Sequence, residues 1–237
     1  MRYAIYYTPA PDSPLASDAG RWLGRDAFSG EMLGAPGGLA MPSEQWQGLV
    51  AEPQRYGFHA TLKAPFELRD EQTEAALVDA FDAFAASVAP FDLPEVVVGQ
   101  LGPFFALVPA VVHAPLQAFA ASVVETFEPF RAPLSDADVA RRRPERLTET
   151  QRENLTAWGY PYVMDEFRFH MTLTGPVEDD LAPTILSELK RRFSRQDGQP
   201  LAIDGLALFI EARRGEPFTI HSWRPLGLPA HSRKILP

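Results

Sequence analysis

The chain has 237 residues, of which 46% are hydrophobic and 22% charged, a balance typical of a soluble globular protein with a real core. Its net charge of −9 argues against long nucleic acid as a partner, because neutralising phosphates requires clustered Lys and Arg. The absence of cysteine excludes disulfides and thiol nucleophiles, and with no visible signal peptide or apolar run of roughly 20 residues we expect a cytoplasmic protein that does not cross a membrane.

The first fifty residues predict one strand and two helices. "RYAIYYT" at 2–8 is rich in β-formers and ends at Pro9, which predicts a strand. A helix can begin at Ser13-Pro14, and "PSEQWQGLVAEP" predicts a second, short helix. Between them, the glycines and prolines of "GEMLGAPGGLAMP" predict a loop.

Two stretches of similar element order follow. The first has a strand in "GFHATLKAPF", a helix over 70–88 with Asp70 as its cap, strands in "PEVVVGQL" and "PFFALVP", and a helix over 114–130. The second has a strand in "FRFHMTLTG", a helix over 178–196, and strands in "PLAIDGLALFIEA" and "PFTIHSWRPL" that turn at 213–215. This order of strand, helix and hairpin indicates a weak internal repeat.

The segment 131–160 interrupts that repeat. It holds six arginines and five acidic residues, and Thr148 and Gln151 are spaced as a capping box that predicts a helix through Trp158. One interpretation is a solvated helical connection, and the other is a lid that supplies arginine to a phosphate site. We therefore predict a single bilobal domain over 1–237, with approximate lobes 1–130 and 161–237 joined by this segment.

The same four-residue frame, His-x-Thr-Leu, occurs in both repeated strands, at His59 and at His170, although the chain has only five histidines. Alternate side chains of a strand share one face, so Thr61 and Lys63 follow His59 on one face. On the second strand Arg168, His170 and Thr172 share a face. Each strand thus has an apolar face for the core and a face with His, Thr and a cation, which suits an anion.

Two facing motifs of this kind suit phosphoester cleavage without a metal. One imidazole takes a proton from water or a hydroxyl, and the other gives a proton to the leaving oxygen. The threonine hydroxyls and nearby cations, among them Arg55, stabilise charge on the phosphate oxygens. A single His-x-Thr is usually an ordinary sheet residue, but its duplication in matched contexts favours a functional pair.

The other three histidines are weaker candidates for the site. His113 lies at a strand–helix junction and is expected to be structural, His221 could approach the groove, and His231 lies in a polar tail. A site made of histidines alone could bind a metal, but hydroxyls rather than carboxylates surround His59 and His170, so we expect no metal and no cofactor.

The two motifs, His59-Ala60-Thr61-Leu62 and His170-Met171-Thr172-Leu173, resemble those that define the 2H phosphoesterase superfamily. The longer contexts "RYGFHATLKAPF" and "FRFHMTLTG", with "LGPFFALVP" between them, resemble its DUF1045 branch over nearly the whole chain. That branch is often described as a phosphonate-metabolism protein, because its genes accompany carbon–phosphorus lyase genes.

The resemblance implies an α+β fold, a bilobal pseudo-twofold duplication with two antiparallel sheets around a central cleft and helices outside. It implies His59 and His170 as the catalytic pair and Thr61 and Thr172 as phosphate-binding residues. Strand geometry adds Arg55, Tyr56, Lys63 and Arg168 as candidate substrate-binding residues. The gap between the motifs is longer than in compact superfamily members, which weakens any transfer of their RNA substrates.

Three functions remain open from the sequence. The first is a metal-independent phosphodiesterase that opens a small cyclic phosphate, such as a phosphoribosyl or nucleoside cyclic phosphate. The second is an enzyme that acts on RNA termini, on 2′,3′-cyclic ends or 2′,5′ links. The third is a non-catalytic protein that binds a phosphate ligand, which would have no need for two histidines. The expected partner is a small phosphorylated substrate, and the oligomeric state is left open.

Overall fold

The computed structural model describes residues 1–227 and shows an α+β fold with two four-stranded antiparallel sheets. The eight strands are β1 (Arg2–Tyr7), β2 (Ala60–Phe66), β3 (Phe91–Leu101), β4 (Phe104–Pro109), β5 (Met171–Thr172), β6 (Gln199–Ile203), β7 (Gly205–Glu211) and β8 (Thr219–Pro225). One sheet has the order β2-β1-β7-β8 and the other β5-β4-β3-β6. The predicted fold class is confirmed.

Seven α-helices accompany the sheets within the described residues. They are α1 (Pro14–Leu23), α2 (Ser43–Tyr56), α3 (Glu74–Ser87), α4 (Ala114–Phe127), α5 (Asp136–Arg141), α6 (Glu149–Trp158) and α7 (Ala182–Arg192). Three of them pack on strands, α3 against β8, α4 against β2 and α7 against β3. The predicted helix starts at Ser13 and Thr148 are confirmed, since each side chain accepts a hydrogen bond from a backbone N–H of the first turn.

Three helices and one strand differ in extent from the prediction, and one of these helices, α4, ends at Phe127 rather than at 130. Helix α3 begins four residues later than Asp70, because Thr73 rather than Asp70 caps it by accepting from the Ala76 N–H at 3.1 Å. Helix α7 is shorter than 178–196. The long strand predicted from "FRFHMTLTG" is wrong in extent, because only Met171–Thr172 pair with β4.

The predicted repeat in sequence order is not how the sheets assemble. The segment "PLAIDGLALFIEA" forms two strands rather than one, divided at Asp204, and these strands enter different sheets. Hairpin β7–β8 therefore lies in the sheet of the first motif, and hairpin β3–β4 lies in the sheet of the second. Each sheet thus takes strands from both sequence halves, while the division into lobes 1–130 and 161–237 stays a prediction.

A single large apolar cluster holds the two sheets and their helices together. Strand β1 contributes Tyr3, Ile5 and Tyr7 to this core, and helix α3 contributes Leu77 and Phe81. The opposite face of β1, with Ala4 and Tyr6, belongs to a smaller cluster. Strand β1 is thus buried on both faces and forms a rigid support for the neighbouring strand β2, which carries the first motif.

Candidate active site

The two motif strands occupy equivalent places in the two sheets. Strand β2 is at the edge of one sheet, β5 is at the edge of the other, and the two strands contact each other. The fold thereby brings together two motifs that are 111 residues apart in the sequence.

Both motifs keep the predicted division between core and cleft. In the first, Phe58, Ala60 and Leu62 are buried in the core, while His59 and Thr61 are only half-buried. In the second, the buried side chains are Phe167, Phe169, Met171 and Leu173, and the half-buried ones are His170 and Thr172. The apolar residues fix the backbone and leave the polar ones beside an open cavity.

His59 stands just before β2, and its ring is held by a hydrogen bond and by stacking. Its Nδ1 lies 2.8 Å from the carbonyl oxygen of Gly57. A carbonyl only accepts, so Nδ1 carries the proton and Nε2 is the basic nitrogen. The ring stacks on that of Tyr6, with centroids 4.0 Å apart. Both restraints set the direction in which Nε2 can act.

Gly57 is needed for this arrangement. It ends helix α2 with a φ of 79°, a conformation that side chains rarely adopt. A Cβ at this position would stand 2.6 Å from the Cβ of Ala27. The glycine therefore allows the sharp turn that presents its carbonyl to the His59 ring.

His170 repeats the arrangement in the second motif. Its Nδ1 lies 2.7 Å from the carbonyl oxygen of Arg168, again two residues earlier in the chain. Its ring lies 5.7 Å from that of Phe104, which forms part of the cavity wall. Neither Nε2, of His59 or of His170, has a hydrogen-bond partner within residues 1–227. The two rings thus have the same tautomer and the same free nitrogen.

Burial makes both imidazoles weak bases. Desolvation lowers the pKa of His59 to about 4, with a smaller contribution from the nearby His170 and against the opposing effect of the Gly57 hydrogen bond. Desolvation also lowers the pKa of His170, against the hydrogen bond to Arg168. In the free protein at neutral pH the His59 ring is therefore uncharged and able to accept a proton.

One cavity joins the two motifs. It has a volume of about 370 Å³, within the range of small-molecule sites, and it is lined by His59, Thr61, His170 and Thr172. The wall also holds the polar residues Arg2, Glu52, Arg142 and Thr174 and the aromatic residues Tyr6, Tyr56, Phe104 and Tyr160. The cavity therefore combines two imidazoles, three threonine hydroxyls, two guanidinium groups and one carboxylate with an aromatic lining.

The threonines of the cavity differ in what they can do. Thr61 and Thr172 are half-buried on its wall, and within the described chain neither hydroxyl is engaged in a hydrogen bond. Thr174, the next residue on the same face, is fully buried, and its hydroxyl accepts from the Phe105 N–H at 3.0 Å. Thr174 thus holds the strand end, while Thr61 and Thr172 are free for a ligand.

Lys63 does not reach the cavity, contrary to the prediction from strand alternation. Tyr6 pairs with Thr61 but Ile5 pairs with Lys63, so β2 carries one extra residue in a β-bulge. The bulge reverses the alternation and turns Lys63 to the core side. Its ammonium group is buried and pairs with Glu128 at 2.7 Å. Instead, Ala64 lines the cavity.

Arg55 and Arg168 also lie outside the cavity wall. Arg55 pairs with the buried Glu211 at 2.9 Å, donates to the Tyr56 hydroxyl at 2.7 Å and lies over the Tyr56 ring. It therefore supports the predicted residue Tyr56, which does line the cavity. Arg168 is exposed and donates to the carbonyls of Asp165 and Phe167, so it shapes the turn before His170.

The sequence did not indicate several cavity residues, and Arg2, Tyr6, Glu52, Arg142 and Tyr160 are the polar or titratable ones among them. Arg2 and Tyr6 come from β1 and share one face of that strand, so alternation could have found them once β1 was known to be the neighbour of β2. Arg142 and Tyr160 come from the segment 131–160, and the guanidinium of Arg142 lies 4.8 Å from the Tyr160 ring centroid. This segment, for which a lid was one interpretation, thus contributes to the cavity wall.

Within residues 1–227, three or more His, Asp or Glu side chains do not come together in a group that could hold a metal ion. No helix in the same range has the length and apolar character needed to span a membrane.

The structure so far defines an α+β protein with a paired His-x-Thr cavity between two sheet edges. A family model described as "Protein of unknown function (DUF1045)" matches residues 61–219, and the chain belongs to this family. The family recognised from the sequence is thereby confirmed. The two motifs also meet at one cavity, as the resemblance to the 2H superfamily implied.

Two curated relatives are similar to the chain, and both are named ribose 1,5-bisphosphate phosphokinase PhnN. The protein of Janthinobacterium sp. (strain Marseille) is 39% identical over 224 residues, which cover 92% of this chain and 49% of the relative. That of Laribacter hongkongensis (strain HLHK9) is 32% identical over 222 residues, which cover 93% of this chain and 50% of the relative. The chain thus spans about half the length of these relatives.

A solved structure described as a crystal structure of phosphoesterase is also similar. It aligns over 96% of this chain and 99% of its own, with 12% sequence identity and a TM-score of 0.39.

Proposed function

We propose that the protein is a metal-independent phosphodiesterase that opens a small cyclic phosphate by two-histidine acid–base catalysis. The main support for this proposal is that the two imidazole rings are held in the same way at one cavity. Each donates its Nδ1–H to the carbonyl two residues earlier, and each has its Nε2 free at the same cavity. A purely structural role gives no reason for this duplication.

In the proposed reaction, His59 takes a proton from a water molecule as the water oxygen attacks phosphorus. The P–O bond to one ester oxygen breaks, and protonated His170 gives its proton to that leaving oxygen. The product is a phosphomonoester with a free hydroxyl group. Both rings then return to their starting states by exchanging protons with solvent.

The assignment of base and acid follows from the surroundings of the rings. The pKa of His59 is held at about 4, so this ring is neutral and ready to accept a proton. The pKa of His170 is also lowered, but a bound phosphodiester anion beside it raises that pKa and favours its protonated form. The hydroxyls of Thr61 and Thr172 are placed to donate to the non-bridging phosphate oxygens.

The names of the relatives support a phosphorylated ribose as the kind of substrate, in phosphonate metabolism. We do not propose kinase activity for this chain, which covers half of those proteins. Its sequence contains no G-x-x-x-x-G-K-S/T loop, the usual cradle for the phosphates of a nucleotide donor. The net charge of −9 also favours a small phosphate ester over RNA.

The test follows phosphorus NMR of the protein with EDTA and a panel of cyclic phosphodiesters. We expect turnover that survives the chelator and falls at least about a hundredfold in His59→Ala and in His170→Ala, the scale of general acid–base help. The matched control is His221→Ala, which removes an exposed histidine outside the cavity.

Each other outcome has a distinct meaning. Turnover that requires a metal, or that persists in both histidine variants, would refute the mechanism. Preference for oligoribonucleotide ends over mononucleotides would indicate that RNA termini are the substrate. Tight binding without turnover across the panel would identify a phosphate-binding protein instead.

A further inference from the structure

Next to the catalytic cavity lies a second, smaller pocket of about 40 Å³. The two share Arg2, Pro65 and Arg142 on their walls, so they are adjoining spaces rather than separate sites. We call this space the arginine pocket, because five arginines line it: Arg2, Arg131, Arg141, Arg142 and Arg214. In a chain with a net charge of −9, such a local concentration of positive charge calls for an explanation.

The carboxylates around the arginine pocket do not balance its charge. Those on its wall are Glu67 and Asp138, and Arg214 pairs with both, at 3.1 Å and 2.8 Å. Asp138 also pairs with Arg141. Within residues 1–227, no carboxylate lies within ion-pairing distance of Arg142.

The carboxylates behind the pocket are shared in the same way. Glu211, which pairs with Arg2, also pairs with Arg55. Glu128, which pairs with Arg131, also pairs with Lys63. These carboxylates therefore hold Arg2, Arg131, Arg141 and Arg214 in place and still leave an excess of positive charge, and the Arg142 guanidinium lies over the Tyr160 ring. Arginines fixed in this way are well suited to bind phosphate, because their planar N–H groups match its oxygens.

The guanidinium groups also repel one another. Desolvation and the positive charges of Arg214, Arg2 and Arg142 lower the pKa of the exposed Arg141, against the carboxylate of Glu211. A bound anion would reduce this repulsion between the guanidinium groups.

We propose that the arginine pocket binds a second phosphate group carried by the same substrate whose cyclic phosphate lies between the two histidines. The pocket offers the room of a few water molecules, enough for one oxyanion but not for a separate organic ligand. The shared wall lets a substrate in the catalytic cavity extend one end into it. The substrate class is then a cyclic phosphodiester that also bears a phosphomonoester, and this rests on the proposed function.

The test compares two substrates that differ only in the second phosphate. One is a nucleoside 2′,3′-cyclic phosphate, and the other is the same compound with an added 5′-phosphate. We expect the doubly phosphorylated compound to have a kcat/KM at least about tenfold higher, the scale of a charged hydrogen bond. In Arg142→Gln this preference is expected to fall to about twofold or less.

The matched control is Arg143→Gln, which removes the same charge from the neighbouring exposed arginine that lines neither cavity. It is expected to keep the full preference. Equal rates on both substrates in the unaltered protein would overturn the inference and leave the proposed function standing. A preference for the doubly phosphorylated compound that survives Arg142→Gln would also overturn the inference.

If neither compound is opened, the proposed function fails on these substrates, and calorimetry decides the inference separately. Ribose 5-phosphate should then bind at least about tenfold more tightly than ribose or inorganic phosphate, and Arg142→Gln should remove the difference. Equal binding of ribose 5-phosphate and inorganic phosphate would assign the pocket to an independent anion and refute a subsite for substrate.

Discussion

The buried imidazole of His59 should make the protein lose stability in mild acid. Its folded-state pKa is about 4 against an ordinary value of 6.5. Each pKa unit corresponds to about 1.36 kcal/mol, so the full effect is about 3 kcal/mol. Because the folded pKa is lowered, this stability is present above pH 6.5 and is lost as the pH falls toward 4. At about pH 4.5, roughly 2 kcal/mol should be gone.

The assay is urea unfolding at about pH 7 and about pH 4.5 for the unaltered protein and for His59→Gln, which cannot titrate. The variant should lose less stability on acidification than the unaltered protein, by roughly 2 kcal/mol. The matched control is His221→Gln at an exposed site, which should lose as much as the unaltered protein. An identical loss in His59→Gln would refute the idea that burial suppresses the charge on His59.

Three further predictions concern the ionised groups. As the pH rises, kcat/KM should first increase near pH 4, where His59 deprotonates, and then decrease through the pKa of His170, which burial places below its ordinary 6.5. An optimum above pH 7 would contradict the role assignment. Glu211→Gln removes a buried carboxylate shared by two arginines and should cost about 3–5 kcal/mol in urea unfolding, whereas Glu216→Gln, at a half-buried carboxylate paired with the exposed Arg213, should cost under about 1 kcal/mol. Lys63→Met removes the buried ion pair with Glu128, so it should lower the unfolding free energy and leave KM within about twofold. A large rise in KM would show that Lys63 contacts the substrate.

The catalytic pair could be predicted from the sequence because its signal is local. Alternation over Phe58, Ala60 and Leu62, and over the equivalent residues around His170, is enough to place each histidine on the face away from the core. The duplication of a four-residue frame then indicates that the two faces meet. Neither step requires knowledge of which strands are neighbours.

The supporting residues could not be predicted in that way. Lys63 was misplaced because a bulge in β2 reverses the alternation, and a bulge is set by pairing with β1 rather than by the sequence of β2. Arg2 and Arg142 reach the cavities from opposite ends of the first 142 residues, so only tertiary structure brings them together. The division of the strand at Asp204 likewise depends on which sheet each half joins.

Nitrogen NMR of the histidine rings during titration with inorganic phosphate tests most directly whether the two imidazoles face one oxyanion. We expect Nδ1-protonated tautomers for His59 and His170, and signals from both rings that shift with one common dissociation constant, while those of His221 stay unchanged. Shifts in only one of the two rings, or two unrelated dissociation constants, would contradict this expectation.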